Sequence, residues 1–76
     1  MPQLNPISPK KLIKILLKVD FREIRINWSH HFFDRKDWKT TVVPVHWNED
    51  ITVWLLKKIL RDTNISVEEF EKLRLE

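Results

Sequence analysis

Three histidines, His30, His31 and His46, are the side chains of this chain best suited to moving a proton near neutral pH, because it contains no cysteine. Two are adjacent in Ser29-His30-His31-Phe32-Phe33. If that stretch is a strand, neighbouring residues point to opposite faces, so His30 goes with Phe32 and His31 with Phe33, and the pair cannot act as one ligand set. Zinc needs three or four converging ligands, and with His46 as the only other histidine no metal site is expected. One imidazole beside cationic side chains suffices for a single reaction class. RNA carries its own nucleophile, the 2′-hydroxyl, so a positioned histidine can take that proton while Lys or Arg stabilises charge developing on phosphorus. Arg25, Arg35, Lys36 and Lys39 flank the pair and are the candidates for RNA contact. The same residues would also suit a solvated rim, with one histidine packed beside a phenylalanine and the other in water.

Other chemistry finds no footing. Phosphate-cradling and dinucleotide-binding loops need glycine, and the chain has none. Ser29, immediately before His30, cannot form a triad with its own strand neighbour. His46 stands near Glu49 and Asp50, but acids just ahead of a helix serve to favour its N-terminus.

At 76 residues, one small domain is expected, with function on its surface rather than in a deep enclosed site. No run of eighteen apolar residues could span a bilayer. The start, MPQLNPISPKK, lacks the features of a secretory signal, and a cytoplasmic protein is expected. The net charge of +3 is unevenly spread. Residues 1–61 hold 12 Lys and Arg against 6 Asp and Glu, a net of +6, whereas residues 62–76 hold 2 against 5, a net of −3. The basic part could attract phosphates and the acidic tail could not.

The elements that must hold these residues can be read from spacing. Pro2 and Pro6 mark residues 1–7 as an extended arm. Ser8 and Pro9 open a basic amphipathic helix over 9–18, with Leu12, Ile13, Leu16 and Leu17 as its apolar set. After Asp20, suited to a left-handed helix end, a period of two sets Arg22, Ile24 and Ile26 on one face of a strand and Phe21, Glu23 and Arg25 on the other. SHHFFDR is a second strand, KDW a turn, and TTVVPV a third strand whose Pro44 demands an edge or a bulge. VWLLKKILRD returns to helical spacing through Leu55, Leu56, Ile59 and Leu60, with Asn64 to end it. Ser66 and Glu69 form a capping box for an extra terminal turn of helix. The fold class is α+β, with an α-β-β-β-α order. An antiparallel three-stranded sheet has its helices on one face, and its other face is free.

At PKKLIKIL, SHHFF, TTVVPVHWNEDI and LLKKILRDTNISVEEF the chain resembles the HicA family of toxin-antitoxin systems, over about residues 8–71. The resemblance implies a fold like the double-stranded RNA-binding domain and a single HicA-like domain over 1–76. It further implies the toxin of a type II system, a metal-independent, cofactor-free endoribonuclease cleaving mRNA, with a HicB-like antitoxin as partner. The resemblance also implies that the histidine directly after the family's Gly-Ser pair, here His30, is catalytic; His31 falls where the family varies. Two other functions stay open: a non-catalytic RNA-binding module of the same fold, and an engineered or inactive variant.

The departures from the family are informative. It typically has glycine where this chain has Trp28, Trp38, Trp47 and Trp54, its only tryptophans, and often glycine at Asp20, Thr52 and Asn64. About five glycines would be expected in a chain of this length. Either a codon read as glycine by the host has been rendered as tryptophan, or the chain was designed without glycine, or the four tryptophans are ordinary core residues.

Overall fold

A computed structural model describes residues 3–76; Met1 and Pro2, the first part of the expected arm, lie outside the described residues. Helix α1 (Pro9–Lys18) starts where the sequence places it. The Ser8 Oγ accepts a hydrogen bond from the Lys11 amide at 3.2 Å, and Pro9 supplies a first residue with no N–H to satisfy. The buried stripe is Leu12, Ile15 and Leu16, not the expected set. Ile13 is half-buried and Leu17 is 52% exposed, because each sits about 100° around the helix from its buried predecessor.

The helix ends in a Schellman motif. Asp20 takes φ 72°, its amide donates to the Leu17 carbonyl at 3.3 Å, and the Phe21 amide donates to the Leu16 carbonyl at 3.0 Å. Helix α2 (Val53–Thr63) ends the same way at Asn64, φ 57°, with Asn64 reaching Arg61 and Ile65 reaching Leu60. At both ends the apolar residues at these positions, Leu16 and Phe21, Leu60 and Ile65, are buried in the core. Thr52, at a frequent glycine position of the family, has an ordinary φ of −69° and caps α2 by accepting the Leu55 amide at 3.3 Å.

Strands β1 (Arg22–Asn27), β2 (His30–Asp34) and β3 (Thr40–Pro44) form an antiparallel sheet in the order β1-β2-β3, so Pro44 lies on an edge strand as its missing N–H requires. The simple alternation expected for β1 is overturned. Glu23 pairs with Phe33 but Arg25 pairs with Phe32, so Ile24 is an extra, bulged residue. The bulge sets Arg22 on the face of Arg25 and Glu23 on the face of Ile26, opposite His31.

The other strands alternate as expected. Phe33, Thr41 and Val43 face the helices and are buried. His30, Phe32, Thr40, Val42 and Pro44 face away from them. Helix α2 packs over β3, where Thr41 donates to Asp62 at 3.2 Å, and α1 packs beside it. Val43, Leu12, Leu16, Leu56, Ile59 and Phe70 share one core.

Two expectations need enlarging. The terminal turn of helix is a nine-residue helix, α3 (Val67–Leu75), capped by Ser66 and carrying a fully buried Phe70 against α1. Just past its end, the Glu76 carboxylate lies 3.7 Å from Lys18 at the end of α1. The arm is also tied down: Ile7 is buried and pairs with Ile51, and the Arg74 guanidinium donates to the carbonyls of Asn5 and Pro6.

The β2–β3 connection is fixed by Arg35. Its guanidinium donates to both carboxylate oxygens of Asp37 at 3.1 and 2.9 Å and to the Val19 carbonyl at 3.1 Å, while stacking 4.5 Å from the Phe21 ring centroid. These hydrogen bonds from Arg35 hold the Asp37 carboxyl below the usual carboxylate range. A depressed folded value adds stability above the unfolded pKa, and that contribution disappears as pH falls through the folded value. The urea midpoint should therefore drop less between pH 7 and strong acid in Asp37→Asn than in the parent; equal drops would show the clamp to be energetically silent.

Candidate nucleic-acid interface

His30 begins β2 directly after the two-residue loop Trp28-Ser29, between Asn27 on β1 and Pro44 on β3. The loop is anchored because the Val45 amide donates to the Ser29 carbonyl at 2.6 Å. His30 is exposed, on the face that no helix covers. Two residues along the same face comes Phe32, half-buried, with the Arg25 guanidinium stacked 4.3 Å from its ring centroid. Arg25 is the diagonal cross-strand neighbour of His30, with backbones about 7–8 Å apart by sheet geometry. Farther along, Arg22 and Asp34 pair at 2.8 Å, which raises the Arg22 pKa through the carboxylate hydrogen bond.

An exposed imidazole, a flat aromatic and a guanidinium thus lie in sequence on an open surface. Such a surface can stack an unpaired base, hold a phosphate and exchange a proton beside it. Counted back from the Trp28-Ser29 loop, Asn27 pairs with His30, Ile26 with His31 and Arg25 with Phe32, so the hairpin itself sets Arg25 on the face of His30, and the bulge beyond it turns Glu23 to the helix side.

Of the four expected RNA contacts, only Arg25 comes onto the face of His30. Arg35, Lys36 and Lys39 gather at the β2–β3 connection, about 16 Å from His30 at the rise of an extended strand. Arg35 is already engaged with Asp37, Val19 and Phe21. Lys36 is exposed and Lys39 half-buried. His46, Glu49 and Asp50 lie exposed in the connection before α2, where the Glu49 amide donates to the His46 carbonyl at 2.8 Å.

The second histidine has surroundings that the sequence did not disclose. His31 faces the helix side, its side chain 13% exposed, with Nδ1 3.0 Å from the Glu23 carboxylate and its ring edge-on to Trp47 at 6.1 Å. A carboxylate only accepts, so in this pair the Nδ1–H donates to Glu23. Cross-strand register was the signal that could have found this pair, since Glu23 lies on the strand facing His31. Counting from the Trp28-Ser29 loop without the bulge assigns Glu23 to the wrong face.

None of the four tryptophans belongs to the core, which overturns that reading of them: Trp28, Trp38, Trp47 and Trp54 are 92, 91, 64 and 78% exposed. Trp28 sits in the loop next to His30, with φ 58°. Among the described residues no three His, Cys, Asp or Glu side chains gather as a metal site, and no helix is long and apolar enough to cross a membrane.

Compared with known families, residues 9–65 match the HicA toxin of bacterial toxin-antitoxin systems. No curated protein matches the chain.

The two faces differ in what a reagent can reach. Diethyl pyrocarbonate should acylate His30 and His46 quickly and His31 several-fold more slowly, read by peptide mass spectrometry. Equal rates for His30 and His31 would contradict the face assignment.

Proposed function

We propose, from the premise that the chain belongs to the HicA toxin family of bacterial toxin-antitoxin systems, that it is an endoribonuclease acting on mRNA with His30 as its catalytic residue. The observation that carries this reading is the uncovered sheet face, where His30, Phe32 and Arg25 adjoin. In this reading a single strand of RNA lies along β2. One base stacks on the Phe32–Arg25 platform, the scissile phosphate rests beside His30, and Lys36 and Lys39 hold the backbone farther on.

The reaction needs no metal. The His30 imidazole takes the proton of a 2′-hydroxyl, whose oxygen attacks the adjacent phosphorus. The bond to the 5′-oxygen breaks, leaving a 2′,3′-cyclic phosphate, and the departing oxygen takes a proton from water or from the imidazolium. Arg25 stabilises the charge building on the non-bridging oxygens. The family supplies an antitoxin as partner. In this type II reading it is a HicB-like protein that covers the same face and keeps RNA from it, with toxin and antitoxin meeting in the cytoplasm.

The alternative, RNA binding without chemistry, draws on the same platform, since stacking on Phe32 and Arg25 requires no proton transfer. One assay separates the two. In EDTA, the protein should cleave single-stranded RNA, His30→Ala should lower the rate by about 10²–10⁴-fold while leaving binding in place, and His31→Ala should do much less. Binding without cleavage in the parent would establish the alternative, and the reverse ranking of the histidines would remove His30 from its role. Arg25→Ala should weaken RNA binding and lessen its salt dependence, measured by fluorescence anisotropy at two ionic strengths; an unchanged affinity would take the RNA path off this face.

A further inference from the structure

Among the described residues, four have positive φ: Asp20, Trp28, Trp38 and Asn64. Asp and Asn tolerate this region because their short polar side chains can hydrogen-bond locally, and here they occupy the two helix ends. The two hairpin loops instead carry the largest side chain available. In the first, Trp28 is the leading residue of a two-residue loop, where the turns that suit strand twist call for glycine or asparagine. The second loop is more demanding. The Trp38 amide donates to the Arg35 carbonyl at 3.0 Å and the Arg35 amide to the Lys39 carbonyl at 3.1 Å, so Trp38, φ 69°, fills the left-handed position that closes a three-residue hairpin loop. Glycine is the residue that takes that position without a steric penalty.

Burial gives an independent indication. Tryptophan is highly buried on average, yet all four here are at least 64% exposed, and Trp28 and Trp38 are almost wholly in water. Trp54, the second residue of α2, takes no part in the core, and Trp47 follows His46 in the turn closed by Glu49. Composition gives the third. The chain has no glycine at all, against about five expected, and no tryptophan outside these four exposed positions. Unrelated substitutions would not empty one residue type and fill another at the same surface sites. A single codon with two readings would do both.

We infer that the working protein carries glycine at 28, 38, 47 and 54, written with one codon that its host reads as glycine and that this sequence renders as tryptophan. The inference is independent of RNA cleavage, because it concerns backbone geometry and surface exposure alone. Its direct test is peptide mass spectrometry of the protein made by its own host, together with the four codons of its gene. Glycine at all four positions from one shared codon is expected; tryptophan at any of them, or differing codons, overturns the inference. The physical half is tested on the protein as written here. Trp28→Gly and Trp38→Gly should each raise Tm by about 4 °C, whereas Trp28→Ala and Trp38→Ala, which keep the Cβ clash, should not. No gain on introducing glycine, or an equal gain with alanine, would show that these loops do not call for glycine.

Discussion

Left-handed backbone at four corners is the constraint on which this fold depends. Asp20 turns the chain from α1 into β1, Trp28 turns β1 into β2, Trp38 turns β2 into β3, and Asn64 turns α2 towards α3. Each corner sets the direction of the element after it, and none is made by a residue without a Cβ. For an ordinary L-residue this region costs about 1–2 kcal/mol, appreciable against a total stability of about 5–15 kcal/mol for a small domain. The helix corners recover part of that through paired carbonyls and buried apolar residues. At the second hairpin, the Arg35–Asp37 clamp holds the loop in place from beneath.

The sheet divides the labour between its two faces. Phe33, Thr41 and Val43 point inward and join three helices into one core, so the inner face is committed to stability. His30, Phe32, Val42 and Pro44 point the other way and are free of that duty. The adjacent histidines therefore differ in kind although they are alike in sequence. One is displayed to solvent beside a guanidinium, and the other is held by Glu23 at the margin of the core.

Much of this architecture could be read from residue spacing. Ser8-Pro9, Asn64 and Ser66 mark helix boundaries through their own hydrogen-bonding chemistry, and Pro44 announces an edge because it lacks a donor. The opposite orientation of His30 and His31 follows from strand geometry alone. What was not legible depended on longer-range contacts. The bulge at Ile24 has no mark in a run that alternates cleanly, and it sets Arg22 on the face of Arg25 and Glu23 on the face of Ile26. The split between Ile15 and Leu17 on α1 depends on where α3 and β3 lie, and a third full helix was hidden behind an apolar pattern carried chiefly by Phe70. For the candidate site, His30 was named by resemblance and Arg25 by proximity, whereas the distance to Lys36 and Lys39 required knowing that the two hairpin loops stand at opposite ends of β2.

The bulge has a consequence for the company this protein keeps. Strand β1 is the outer strand on its side of the sheet, exposed along its whole length, with Ile24 and Ile26 more than half uncovered. A flat strand of that kind is a template on which other chains can polymerise edge to edge. Ile24 breaks the regular row of donors and acceptors and increases the local twist, while Arg22, Glu23 and Arg25 place charge on either side of it. The irregularity that turns Glu23 towards His31 thus also makes the edge a poor seed for fibrils.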